Sequence, residues 1–134
     1  MADYLLDTTV IIDHLRGIEK VSRFLEQIGL KGDTAGCCCI NIAEVYSGML
    51  EKEKEKTDIF ISSLFFYEIT RNISKTAGRL RQKHAKKGIT LSTADAIIGA
   101  AALIYDLILA TKKLSIIRFR TLRSKKSDYL SKRP

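Results

Sequence analysis

The sequence predicts an α/β domain in three layers, with helices on both faces of a mostly parallel sheet. Three observations point there. Segments that read as strand alternate with segments that read as helix, as they do in βα units. The strand segments are apolar without a two-residue alternation, which is how strands covered on both faces read. The chain has 134 residues, 46% hydrophobic and 28% charged, which suits one domain with an ordinary core. With one proline and eight glycines, it is unlike linker-rich or disordered chains.

The elements follow in order. Tyr4 to Leu6 reads as a short strand. Val10 to Arg16 starts a helix, and Ile18 to Ile28 reads as an amphipathic helix with Val21, Phe24, Leu25 and Ile28 on one face. "GDTAGCCCIN" is a turn into a strand at about Cys37 to Ile40. Its three cysteines are consecutive, odd in number and alternate between faces, which fits neither a disulfide framework nor a chelating CxxC pair. They read as small hydrophobes in a strand buried on both faces, and suggest a reducing compartment.

Ile42 to about Lys56 reads as helix, and its "EKEKEK" tail mixes charges at the spacing of a solvated helix surface. Thr57 to Phe66 reads as an apolar helix and "YEIT" as a short strand. From Ile73 to Lys87 the pattern is helical, and Arg71, Lys75, Arg79 and Lys83 recur every four residues as one basic stripe. Thr93 to Tyr105 reads as a buried Ala-rich helix, "LILAT" as a strand buried on both faces, and "IIRFR" as a further strand. The longest apolar run, Ala96 to Ala110, falls short of the ~20 residues that span a bilayer, and Asp106 interrupts it. Met1-Ala2-Asp3 has no basic n-region, so the start does not read as a signal peptide. The expectation is a cytoplasmic protein.

The net charge of +8 is unevenly spread. Arg71 to Lys87 holds seven basic residues and no acid, and Lys112 to Pro134 holds nine against one acid, Asp128. The rest of the chain is therefore net acidic. Basic charge concentrated in two segments is the footprint of a polyanion such as nucleic acid, and solubility alone is the plainer alternative.

Three acids stand at helix starts. Asp7 follows the first strand, Glu44 lies in "NIAEVYSG" after the cysteine strand, and Asp95 lies in "STADAIIGAAA" at the head of the buried helix. Singly, each reads as a cap: Asn41-x-x-Glu44 and Ser92-x-x-Asp95 have capping-box spacing, and acids favour the positive end of a helix dipole. As a set they read differently. First turns that follow parallel strands crowd one edge of the sheet, and three carboxylates there repel one another unless a cation lies between them. All-oxygen ligands suit Mg²⁺ or Mn²⁺. The two histidines, His14 and His84, make neither a zinc site nor a triad. Asp13 reads as an exposed helix residue.

"LLDTTVIID", "NIAEVYSG", "STADAIIGAAA" and "LILAT", in this order and at this length, resemble the PIN domain, and more narrowly the VapC-type toxin ribonucleases. The resemblance covers Tyr4 to about Thr111. It implies a Mg²⁺- or Mn²⁺-dependent endoribonuclease, a homodimer, and a companion antitoxin that inhibits it. It maps the acidic site onto Asp7, Glu44 and Asp95, with Asp7 and Asp95 as main metal ligands and Glu44 as a ligand or a water-orienting group. Thr8, Thr93 and Thr111 take supporting positions beside them. The basic helix and tail, through Arg71, Lys75, Arg79, Lys83, Lys112 and Lys113, would hold the RNA backbone. The organisation expected is a PIN-like domain over residues 1–117 and a basic tail over 118–134.

The sequence departs from the family at one place. Two positions after the threonine of "LILAT", where the family has a further acid or amide, stands Lys113. Protonated lysine ligates no metal. That leaves three readings: a one-metal enzyme, another acid reaching in, or a weakened PIN-like module that binds RNA or an antitoxin. A receiver or haloacid-dehalogenase domain is the remaining alternative. The second wants an Asp two residues after the first, where Thr9 stands, and the first wants a third-strand Asp that the sequence lacks.

Overall fold

The structure is a computed structural model and describes residues 2–111 of the 134. The chain runs β1 (Asp3–Leu6), α1 (Thr8–Leu15), α2 (Glu19–Leu30), β2 (Thr34–Cys38), α3 (Cys39–Ser47), a 3₁₀ turn (Glu51–Glu53), α4 (Lys54–Ser63), β3 (Phe65–Tyr67), α5 (Arg71–Lys86), α6 (Thr93–Ile104) and β4 (Ile108–Ala110). The strands pair in parallel throughout, in the order β3–β2–β1–β4. From β1 the chain steps outward to β2 and β3, then returns on the other side of β1 as β4. That reversal puts a topological switch point beyond the carboxyl ends of β1 and β4, where open α/β sheets bind their ligands.

Both faces of the sheet are covered. Side chains alternate along a strand, so neighbours on β1 enter different cores. Leu5, with Cys38 and Tyr67, packs against Ile73 and Ala77 of α5 and Ala96, Ile98 and Ala101 of α6. Leu6, with Cys37, Ile108 and Ala110, packs against Val10 and Ile11 of α1 and Val45 of α3. Leu5, Leu6 and Ile11 are wholly buried, and burying each contributes ~1.5–3 kcal/mol. This is the three-layer α/β/α architecture with a parallel sheet that the alternation of elements predicts.

Gly36 of β2 shows how closely the layers approach. A Cβ there would lie 2.3 Å from the Tyr67 ring and 2.8 Å from the Phe65 carbonyl, so only glycine lets Tyr67 fold across the strand.

Several boundaries differ from the sequence reading. The cysteine run is not all strand: Cys37 and Cys38 end β2 in the core, while Cys39 opens α3 and is exposed. The single helix expected from Ile42 to about Lys56 is two. α3 ends at Ser47 with Gly48 as its cap, and a new start forms where the Glu53 carboxylate accepts the Leu50 N–H at 2.8 Å. The helix expected to reach Phe66 stops at Ser63, because Phe65 and Phe66 pair with Gly36 and Cys37 as β3, which precedes "EIT". Asp106, at φ 59°, turns the chain from α6 into β4, a conformation that aspartate tolerates. Among the described residues no helix is long and apolar enough to cross a membrane. "IIRFR", Lys112, Lys113 and the segment 118–134 lie outside the described residues.

Candidate active site

Asp7 is the first residue beyond β1 and the N-cap of α1. Its N–H donates to the Ala110 carbonyl at 2.8 Å, which carries the β1–β4 ladder one residue further. Its Oδ1 accepts the Thr8 N–H at 2.9 Å, and its Oδ2 accepts the Thr111 hydroxyl at 2.9 Å. Thr111 is buried and directly follows β4. The two strands at the switch point therefore clamp one carboxylate between them. Each of its oxygens can accept a second bond, so Asp7 keeps capacity for a ligand.

Thr8 links this carboxylate to the next. Its hydroxyl donates to Glu44 Oε1 at 2.6 Å and accepts from Asn41 Nδ2 at 3.1 Å. Asn41 Oδ1 in turn accepts the Cys38 N–H at 2.8 Å. Here the capping box sits three residues earlier than the sequence suggests. Cys38 is the N-cap and Asn41 the reciprocating third residue, so Glu44 falls in the second turn of α3 rather than the first. It is exposed, and its carboxylate is turned back to Thr8. In the sequence Asn41 has the spacing of a cap for Glu44, and its link to Thr8 appears only in the fold. The available signal was one polar side chain between Ile40 and Ile42, which the fold buries completely.

Asp95 stands on α6 as expected. Ser92 is the N-cap, and its hydroxyl accepts the Asp95 N–H at 3.1 Å. Thr93 is the first helical residue, and both Thr93 and Asp95 are exposed. α6, the helix of Asp95, touches α3, the helix of Glu44. Among the described residues, no group of three His, Cys, Asp or Glu side chains could hold a metal ion by itself. The arrangement still suits a hard divalent cation. Mg²⁺ keeps several waters and takes one or two carboxylates plus substrate phosphates rather than a closed protein cage. Asp7 and Glu44, with threonine hydroxyls around them, are an all-oxygen set of that kind.

The other candidates divide. Arg71, Lys75, Arg79 and Lys83 are exposed along α5, whose opposite side buries Ile73, Thr76 and Ala77, so the basic stripe faces outward. Asp13 is buried, against the sequence expectation of an exposed residue, because α1 turns it inward with Val10. His14 lies against Phe60 with Nδ1 2.8 Å from the Ser22 hydroxyl, and burial lowers its pKa. It packs α1 on α2 and α4, away from the acids. Burial, then the neighbouring Cys38, pushes the Cys37 thiol up to about 11. Burial likewise raises Cys38. Neither is a thiolate nucleophile at neutral pH.

Known proteins resemble this chain along most of its length. The PIN domain family model matches residues 4–118. Ribonuclease VapC19 of Mycobacterium tuberculosis is 27% identical over 107 residues, which cover 80% of this chain and 86% of that protein. VapBC2 from Rickettsia felis, solved bound to a DNA fragment from its promoter, superposes with a TM-score of 0.72 at 24% identity, covering 89% of this chain and 92% of that one. A toxin–antitoxin complex from Klebsiella pneumoniae gives a TM-score of 0.69 at 26% identity, with 87% and 93% covered. A parallel sheet with a clamped aspartate at its switch point and a family match over nearly the whole described chain lead to one conclusion: the chain belongs to the PIN domain family.

Proposed function

We propose that the protein is an endoribonuclease, the toxin of a toxin–antitoxin pair, that hydrolyses RNA phosphodiester bonds at the carboxyl edge of β1 and β4 with Mg²⁺ or Mn²⁺. The observation that carries the reading is the joining of two carboxylates, Asp7 and Glu44, to the single residue Thr8 at that edge. The ribonuclease and toxin–antitoxin relatives support the same class.

Asp7 and Asp95 would be the metal's main ligands, with Glu44 as a further ligand or as the group that orients water. When bound, a divalent cation supplies an activated water and a positive charge for the attacking and leaving oxygens. This chain's part is to place the acids. The Thr8 N–H and the Thr111 hydroxyl hold both oxygens of Asp7, so its carboxylate plane is fixed before substrate arrives. Along α5, Arg71, Lys75, Arg79 and Lys83 offer the phosphate backbone a row of charges that carries no sequence information directly. Lys112 and Lys113 would extend it. The protein would act in the cytoplasm, as a homodimer, with an antitoxin as its inhibitor.

The test is cleavage of labelled single-stranded and structured RNAs with Mg²⁺, Mn²⁺ or EDTA, beside an Asp7→Ala/Asp95→Ala double variant. Metal-dependent cleavage lost in the variant supports the nuclease. The weakened binding module has one observation in its favour, Lys113 at the position of the family's further acid. RNA binding without cleavage under any metal would select it.

A further inference from the structure

We infer that Asn41 is a positioning residue, which acts through Thr8 to aim the Glu44 carboxylate at the site edge. The inference rests on the nuclease reading for its activity test and on geometry for the rest. The starting point is the Cys38 N–H. A backbone N–H only donates, so the Asn41 atom 2.8 Å away is the carbonyl oxygen Oδ1. That choice sends the amide nitrogen toward Thr8, 3.1 Å from its hydroxyl. An amide NH₂ also only donates, so the Thr8 oxygen accepts there. The Thr8 proton then has one direction left, along the 2.6 Å contact to Glu44 Oε1. Every hydrogen in the chain is thus fixed from the backbone outward.

Burial makes the direction binding. Asn41 is fully buried and Thr8 is 8% exposed, so water cannot easily replace a lost partner. Glu44, by contrast, is exposed and free to sample many rotamers without a donor that holds it. Thr8 also gives its backbone N–H to Asp7. One residue therefore sets the spacing of two carboxylates, and Asn41 decides which way its hydroxyl points.

Asn41→Asp is the sharpest probe. It keeps the shape and the acceptor for Cys38, and in its ionised form, favoured by assay at alkaline pH, it presents a second acceptor to Thr8. The Thr8 proton turns to it and Glu44 loses its donor. Thr8→Val removes the hydroxyl at constant shape, and Thr8→Ser keeps it. The readouts are kcat and KM on a labelled RNA, Mn²⁺ affinity from electron paramagnetic resonance, and melting temperature. We expect Asn41→Asp and Thr8→Val each to lower kcat about 10–100-fold and to weaken Mn²⁺ binding about tenfold, as loss of a ligand-orienting partner does. KM should stay unchanged, and Thr8→Ser should restore both readouts. The Asn41→Asp/Thr8→Val double variant should be no worse than either single, because both act through one hydroxyl.

Wild-type kcat and Mn²⁺ affinity in Asn41→Asp, or losses that multiply in the double variant, would overturn the inference. If Asn41→Asp does not fold, Thr8→Val against Thr8→Ser decides it on the same readouts: loss with rescue supports the inference, and no loss overturns it. If the wild type cleaves no RNA while Mn²⁺ binding still falls in both variants, the nuclease reading fails and the positioning stands.

Discussion

Asp7 and Asp95 are held by different physics. Asp7 is fixed by residues far apart in the chain: Thr111, 104 positions away, gives it a hydroxyl, and Ala110 accepts its backbone N–H. Asp95 sits in a local motif, three residues after the serine whose hydroxyl takes its N–H. A strand end fixes a side chain from both neighbouring elements. At Asp95 the serine cap holds the backbone N–H, and the residue lies on the exposed side of α6. Both carboxylate oxygens of Asp7 are thus held from two strand ends, while the backbone of Asp95 is held within its own helix start.

The comparison predicts unequal costs for equal chemistry. Asp7→Ala and Asp95→Ala should each reduce RNA cleavage by about 10²–10³-fold, the scale of losing one electrostatic partner of a transition state. Their stabilities should part. Asp7→Ala also removes an N-cap, which costs ~1 kcal/mol, whereas exposed Asp95→Ala stays within about 0.5 kcal/mol of wild type. Denaturant titrations read the difference, and an Asp95→Ala loss larger than the Asp7→Ala loss would break the comparison.

Next in size is Thr111→Val, which deletes the hydroxyl donated to Asp7. Cleavage should fall about 10–100-fold, with about 1 kcal/mol of stability lost. Ser92→Ala works the other way. It should cost ~1 kcal/mol through the lost cap and leave cleavage nearly intact, since Asp95 keeps its carboxylate.

The last effect shows only at alkaline pH, on the thiols at the end of β2. Burial holds Cys37 protonated up to about 11, against 9.0 for a free thiol. An unfolded chain releases that proton at lower pH than the folded one, so the contribution is complete below pH 9 and is lost as pH rises toward 11. Melting temperatures over that range should decline more gently in Cys37→Ala. At pH 8, brief iodoacetamide treatment followed by mass spectrometry should label exposed Cys39 and spare Cys37.

What the sequence made legible follows from the same contrast. The layers and the parallel sheet were readable because apolar strands and periodic helices are local patterns. The placement of Asp7 and Asp95 at helix starts was readable because each is close to a cap signal in the chain. Asn41 was not readable in its role, and Thr111 entered as a supporting residue only through the family resemblance. Each acts on a residue at least 33 positions away, and no local period encodes that. The same limit explains Glu44, placed one turn early, since a capping box at Cys38 is not signalled by the usual serine or threonine. Asp13 reads as an exposed helix residue in the sequence, but on α1 it is buried along with Val10 and Ile11.

The measurement that bears most directly on the account is an anomalous difference map from crystals grown with Mn²⁺. The account predicts a peak ligated by Asp7 at the carboxyl ends of β1 and β4, with Glu44 or Asp95 completing its carboxylate shell. A peak remote from Asp7, with that edge unliganded at saturating Mn²⁺, would contradict it.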